Sequence, residues 1–228
     1  MSIKLPRYDE KHHQRTNNFL WLFLALFGIL IFPTFGFLLG HVGTHLFDIC
    51  YTLVILTGIY IVTDSKKNLF AGLVLGITAL VFFIGRHIIV AKATSTAQVC
   101  ASLLYFAFIG FHLVRILIKS REISLNVLYG AMVGYMLIGI IGGQLCTLLD
   151  IYLPNSFDAG GELITPYGYI YFSFVTLTTL GYGDITPQNE SARAIAILIS
   201  IAGQIYLTTL IAILIGKYLS QENKNNSH

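Results

Sequence analysis

Long apolar segments separated by short polar connections dominate the pattern along the chain. Because an apolar helix of about 20 residues crosses the hydrocarbon core of a bilayer, we predict six membrane-spanning helices. They cover residues 19–40, 46–63, 69–90, 97–118, 123–148 and 192–216. The expected fold class is therefore an all-α integral membrane protein.

A seventh apolar and aromatic segment, residues 166–178, is too short to cross. As a helix it would cover only about 20 Å, so we expect it to be re-entrant and buried in protein. Thr165 is placed to cap this helix, and Pro166 suits its first turn. Its carboxyl end, which carries a partial negative charge, would then point toward the membrane centre and stabilise a cation there.

The composition agrees with a membrane protein. Only 11% of the residues are charged and 55% are hydrophobic, whereas a soluble domain carries roughly 25% charged residues. A soluble enzyme and a disordered chain are both excluded. The net charge of +3 gives no reason to expect nucleic-acid binding. No motif for nucleotide binding or hydrolysis is found, so we expect no enzyme activity and no cofactor.

Lys and Arg flank the predicted spans mostly on one side of the membrane. They precede the first span, occupy the loop after the second, end the fourth and follow the sixth. Because such charges remain on the cytoplasmic side, we expect a multi-pass protein of the cell membrane with both termini in the cytoplasm.

Directly after the short helix comes Thr-Thr-Leu-Gly-Tyr-Gly-Asp, residues 178–184. Gly181 and Gly183 tolerate positive φ, so the peptide orientation can alternate and successive carbonyl oxygens can point to one side. Several chains around an axis would then form stacked rings of oxygens, which bind hard monovalent cations by replacing their hydration shell. The hydroxyl of Thr179 could add one more ring at the inner end.

The outer face is acidic. No Lys or Arg lies between Glu122 and Arg193. The carboxylates in that stretch are Asp150, Asp158, Glu162, Asp184 and Glu190. An acidic mouth concentrates cations; the alternative is that these are ordinary solvated loop carboxylates.

The order of span, short helix, motif and final span over residues 123–216 resembles the pore domain of tetrameric potassium channels, and the count of six spans resembles their voltage-gated-like branch. The resemblance implies a homotetramer around one pore, with K⁺ as the permeant ion and passive conduction. The filter residues that would bind K⁺ through their carbonyls are Thr179, Leu180, Gly181 and Tyr182, and Gly183 would complete the selectivity filter.

The same resemblance assigns supporting roles. Asp184 would brace the outer end of the filter by hydrogen bonding, with Thr178 beside it, and Tyr182 would pack outward into a sleeve of short-helix aromatics. Gly203 would be a gating hinge, and the inner gate would lie around residues 211–216. Leu180 stands where Val is most usual, and Val175 stands where some relatives have an acid, which removes one possible brace.

The resemblance also divides the chain into a cytoplasmic N-terminal tail (1–18), a voltage-sensor-like domain of four helices (19–121), a pore domain (122–216) and a cytoplasmic C-terminal tail (217–228). A working voltage sensor needs about three or four charges in the membrane field. The fourth span offers Arg115 and Arg121 near its inner end. We interpret these charges as anchors at the cytoplasmic surface, so the sensor-like domain is degenerate and voltage dependence is weak or absent.

The sequence leaves two structural questions for the structure to answer. Arg86, near the outer end of the third span, either extends its charge to the interface or pairs with Asp48. The connection between the fourth and fifth spans is short, so we expect the first four spans to pack against the pore helices of their own subunit.

Three rival functions remain beside a K⁺-selective channel: a non-selective cation channel, if the filter is loosened; a secondary potassium transporter, which would tend to carry four filter-like repeats; and a non-conducting accessory channel subunit. The expected partners are potassium ions, membrane lipids and further copies of this chain.

Overall fold

The structure is a computed structural model that describes residues 19–31, 41–62, 66–89, 91–120 and 124–226. The predictions for residues 1–18, for the second half of the first span and for Arg121 lie outside the described residues.

The described chain is almost entirely helical. The helices are α1 (Phe19–Ile31), α2 (His41–Ile61), α3 (Lys66–Ile88), α4 (Lys92–Lys119), α5 (Leu125–Tyr152), α6 (Pro166–Leu177) and α7 (Glu190–Asn226). Two short strands, β1 (Phe157–Asp158) and β2 (Thr186–Pro187), flank α6. We call α1–α4 the four-helix unit and α5–α7 the three-helix unit.

Among the described residues, four helices are long and apolar enough to cross a membrane. These spans are Lys66–Arg86, Lys92–Lys119, Leu125–Tyr152 and Glu190–Gly216, and each coincides with a predicted one. The described apolar parts of α1 and α2 are shorter, Phe19–Ile31 and Asp48–Ile61. The count of six spans therefore stays a prediction, whereas the multi-helix membrane architecture is shown.

The core of the four-helix unit continues into the three-helix unit. Buried residues of α1, α2, α3 and α4 form one apolar cluster, and Val133, Leu137 and Ile140 of α5 belong to the same cluster. Near the N-terminal end of α5, Gly130 lies against Leu113 and Leu117 of α4. Within the chain, α4 thus packs on the α5 that follows it, the arrangement expected from the short connection.

A second apolar cluster holds the three-helix unit together. It joins Cys146 of α5, Phe157 of β1, Phe172 and Leu177 of α6, and Ile199 of α7. The backbones of α5 and α6 come very close, because a Cβ at Gly143 would lie 2.6 Å from the Cα of Ile170. The short helix is therefore wedged between two long ones.

The loop between α5 and α6 is tied to the start of α7. Strands β1 and β2 pair antiparallel, with Phe157 opposite Pro187 and Asp158 opposite Thr186. Ser156 is fully buried: its hydroxyl donates to Leu153 O at 2.6 Å and accepts from Asn189 Nδ2 at 2.8 Å. These bonds fix the loop between α5 and α6 to the segment that precedes α7.

Candidate ion-binding site

The N-terminus of α6 is capped as the sequence predicts. Thr165 Oγ1 accepts a hydrogen bond from Gly168 N at 3.2 Å, and Pro166 occupies the first turn, where its missing N–H costs nothing. The helix ends at Leu177, directly before the segment 178–184. The partial negative charge of the helix end therefore lies beside the first residues of that segment.

The backbone N–H groups that follow α6 are turned back toward the helix. Thr179 N donates to Thr176 O at 3.0 Å, and Leu180 N and Gly181 N both donate to Val175 O, at 2.9 and 3.3 Å. Since these three donors are satisfied by the helix end, they do not compete for the side of the strand on which an ion would lie. The backbone carbonyl of Val175 thus accepts two of these hydrogen bonds, while its side chain is buried in the core.

The extended segment after α6 alternates in backbone conformation. Positive φ occurs at Thr179 (61°), Gly181 (57°) and Gly183 (78°), at every second residue. The sequence pointed to the two glycines but not to Thr179. A β-branched residue at positive φ is a strained outlier of the kind that clusters at functional sites. The only sequence signal for it is its spacing of two from Gly181.

Residues 178–184, which we call the filter-like segment, are exposed in the single chain. Leu180 and Tyr182 are 56% and 67% exposed, so the packing of Tyr182 into an aromatic sleeve stays a prediction. Two aromatic residues of the short helix, Tyr169 and Phe172, instead contact the ring of Phe157, with centroid distances of 5.6 and 5.2 Å.

Asp184 is held by one of the short-helix tyrosines. Tyr171 Oη donates to Asp184 Oδ2 at 2.6 Å. This hydrogen bond holds the pKa of the Asp184 carboxyl below its ordinary value and raises the pKa of Tyr171 to about 12. The pair ties the carboxyl end of residues 178–184 to the short helix, and the role of Asp184 as a brace of a filter stays a prediction.

Helix α7 passes very close to the end of α6. A Cβ at Gly203 would lie 2.6 Å from Leu177 O. The same carbonyl accepts a hydrogen bond from Tyr135 Oη of α5 at 3.4 Å. In this structure Gly203 is a close contact beneath the filter-like segment, and α7 continues as a helix through it.

The outer carboxylates are not equivalent. Asp150 is half-buried and its Oδ1 accepts from Ser156 N at 2.9 Å, so it holds the loop. Asp158 is exposed and accepts from Gly161 N at 3.1 Å. Glu162 and Glu190 are exposed. Asp150 thus has a structural task that the sequence did not suggest, and Ser156, its partner, was missed altogether.

Two arginines of the four-helix unit, Arg86 and Arg115, contact identifiable partners. Arg86 Nη2 lies 3.5 Å from Asp48 Oδ1, which favours the ion pair over an isolated Arg86. Arg115 is exposed, with its guanidinium 4.6 Å over the ring of Phe111 one turn away. The role of Arg115 as an anchor at the cytoplasmic surface stays a prediction.

Residues 122–220 match the family model described as "Ion channel". The match covers α5, α6 and most of α7, up to residue 220, and includes residues 178–184.

Curated potassium channels are similar to parts of the same region. The voltage-gated potassium channel Kch of Escherichia coli K12 is 37% identical over 83 residues, which cover 34% of this chain and 19% of that protein. The calcium-gated potassium channel TvoK of Thermoplasma volcanium is 32% identical over 109 residues, covering 48% of this chain and 29% of that protein. The two pore potassium channel b of Oryza sativa subsp. japonica is 30% identical over 81 residues, covering 36% of this chain and 21% of that protein.

The chain spans less than a third of the length of these relatives. Taken with the four long apolar helices, the matches show a multi-pass membrane protein with an ion-channel region.

Proposed function

We propose that the chain forms a homotetrameric, potassium-selective channel that conducts K⁺ passively and has weak or no voltage dependence. The observation that carries the proposal is the alternation of positive φ at Thr179, Gly181 and Gly183. Alternating peptides let the successive carbonyls of one strand face the same side, as a ring-stacking cation filter requires.

The hydrogen bonds behind the strand support potassium binding by carbonyls. The N–H groups of residues 179–181 are satisfied by carbonyls at the end of α6. The carbonyls of Thr179, Leu180, Gly181 and Tyr182 are assigned to K⁺, together with the Thr179 hydroxyl. Gly183 completes the filter. Leu180 contributes its carbonyl, so its difference from Val changes packing behind the strand rather than the ligands themselves.

The exposed backbone of residues 178–184 supports assembly of several chains around one axis, which we propose to be fourfold. Residues 178–184 are exposed in the single chain. Irregular backbone cannot face lipid, because its polar groups would lack partners there; it has to be covered by protein or line a water-filled cavity. One strand cannot surround an ion, so further copies of the same strand supply the cover and the remaining ligands. The exposed apolar side chains of α7, such as Ile197 and Ile201, suit the same assembly.

The supports of the filter are Thr178, Val175 and Asp184. Thr178 Oγ1 donates to Phe174 O at 2.8 Å and so closes the end of α6. Gly203 is assigned as the hinge, and residues 211–216 as the inner gate. Since Arg115 lies near the inner end of the fourth span, where it would cross little of the membrane field, the four-helix unit is assigned a weak or absent response to voltage.

Ion flux into liposomes tests the proposal. Purified protein is reconstituted, and potassium and sodium gradients are compared in the wild type, in Gly181→Ala and in Gly160→Ala. Both glycines have positive φ, 57° and 68°, and in both cases an added Cβ meets nothing within 4 Å. Each variant therefore carries a similar backbone strain of about 1–2 kcal/mol, but only Gly181 lies in the filter.

Flux that prefers potassium, is lost in Gly181→Ala and persists in Gly160→Ala is the expected result. Equal sodium flux in the wild type would replace the proposal by the non-selective channel. No flux of either ion, from a protein that is folded and tetrameric by native mass spectrometry, would favour the accessory subunit.

A further inference from the structure

Helix α7 packs antiparallel on α5 both before and after Gly203. Before it, the side chain of Ile199 lies against Gly142 of α5, where an added Cβ would come within 2.9 Å of it. After it, the hydroxyl of Tyr206 lies against Gly134 of α5, where an added Cβ would overlap the hydroxyl oxygen. The two glycines of α5 thus leave room for α7 on both sides of Gly203.

The two parts of α7 are held in the chain by different contacts. Before Gly203, Ala192 and Ile199 are buried in the apolar cluster of the three-helix unit. Among the described residues 204–216, none is buried in the single chain. Within that range Tyr206 makes the one side-chain hydrogen bond to another helix, from its Oη to Ala131 O of α5 at 2.7 Å. The part of α7 after Gly203 therefore depends on this bond far more than the part before it.

The turn of α5 that accepts this bond also supports the end of α6. Tyr135 follows Ala131 by one helical turn, and its Oη donates to Leu177 O at 3.4 Å. Leu177 is the last residue of α6 before the filter-like segment. The rings of Tyr135 and Tyr206 are neighbours, with centroids 6.1 Å apart. One turn of α5 thus contacts both the part of α7 after Gly203 and the base of the filter-like segment.

We propose that Tyr206 is a latch between α7 and α5. Its hydrogen bond holds the part of α7 after Gly203 on α5, and release of the bond loosens the support that Tyr135 gives to the filter-like segment. Release costs little, because Ala131 O lies inside α5 and keeps the hydrogen bond of its own helix. A contact of this kind can open and close, as a switch requires. As a control over conduction the latch rests on the proposed function, whereas the contact itself does not.

Hydrogen–deuterium exchange of the full-length protein, read by mass spectrometry of peptides, tests the latch without ion flow. The variants are Tyr206→Phe, Tyr135→Phe and the double variant, each of which removes a hydroxyl and keeps the ring. Tyr129→Phe is the matched control. Tyr129 also lies on α5 and its ring contacts Phe23, but its hydroxyl has no hydrogen bond among the described residues.

In Tyr206→Phe we expect residues 204–216 to exchange about three-fold faster than in the wild type. This factor corresponds to about 0.6 kcal/mol, the average contribution of a hydrogen bond between helices in a membrane protein. Residues 192–202 should exchange as in the wild type, because the opening is confined to the part of α7 after Gly203. Tyr129→Phe should match the wild type throughout. Unchanged exchange of residues 204–216, or equal acceleration of residues 192–202, would overturn the latch.

Exchange of the filter-like segment tests the connection through Tyr135. Residues 178–184 should exchange faster in Tyr206→Phe and in Tyr135→Phe, and the double variant should resemble Tyr135→Phe alone, since the effect of Tyr206 passes through Tyr135. Independent, additive effects of the two substitutions on these residues would overturn the connection. Since exchange is measured without ion flow, failure of the latch and failure of the proposed conduction are separate results.

Discussion

Replacing Gly203 by Ala tests how the filter-like segment is supported from below. A Cβ at this position would lie 2.6 Å from Leu177 O and 2.7 Å from Leu177 Cδ1, whereas ordinary contacts begin at 3.4 Å. The carbonyl belongs to the backbone of α6 and cannot rotate away like a side chain. Helix α7 or the end of α6 therefore has to move by most of an ångström, and the filter-like segment begins at that end.

The expected change in the free energy of unfolding has two opposing contributions. Gly to Ala inside a helix gains about 1 kcal/mol of intrinsic helix propensity. Overpacking of a well-filled contact costs about 1–3 kcal/mol. Gly110→Ala in α4 is the matched control, because its added Cβ meets nothing within 4 Å, so only the propensity gain applies. The free energy of unfolding of the two variants should differ by about 1–3 kcal/mol, with Gly203→Ala the less stable.

Thermal unfolding in detergent can be read at a single thiol. Cys146 is fully buried in the apolar cluster of the three-helix unit. With Cys50 and Cys100 replaced by Ala, a thiol-reactive fluorescent dye reports the opening of this cluster alone. At about 2–4 °C per kcal/mol for a chain of this size, the two variants should melt at least about 2 °C apart. Equal melting temperatures would refute the close-contact argument and leave Gly203 with the hinge role alone.

Three further predictions concern the outer face. Ser156→Ala should lower the free energy of unfolding by about 1–3 kcal/mol, because Leu153 O and Asn189 Nδ2 would lose their hydrogen bonds to the Ser156 hydroxyl. Unfolding is measured with the same dye, and an unchanged free energy of unfolding would contradict the prediction. Tyr171→Phe should lower the melting temperature, and the difference from wild type should persist between about pH 4 and pH 10. A lowered pKa makes the contribution of Asp184 present above its ordinary pKa and lost only as pH falls through the lowered one, while the raised pKa of Tyr171 preserves the pair until pH approaches about 12. A difference that vanished at pH 5 would contradict the assignment. A double-mutant cycle of Arg86→Gln and Asp48→Asn should show coupling of about 0.2–1 kcal/mol, since both side chains are partly exposed; strict additivity would rule out the pair.

Local patterns determined much of the architecture. Apolar runs of spanning length predicted four helices that the structure contains, and the 166–178 run predicted α6 nearly to the residue. Thr165 and Pro166 marked its start, because capping needs only neighbours along the chain. Gly181 and Gly183 were identified from their φ freedom. All these signals are local: they depend on residues a few positions apart.

Contacts between distant segments were decided only by the tertiary structure. The sequence assigned Asp150 to an acidic mouth, but folding places it against Ser156 N. The resemblance assigned Gly203 to bending, which stays a prediction; the approach of α6 also makes it a close contact point. Thr179 adopts positive φ because the turn after α6 and its hydrogen bonds impose it, against the preference of a β-branched residue. The hydrogen bond from the Tyr206 hydroxyl to α5 exists only because two distant helices pack together there, and no periodicity along one helix encodes such a contact.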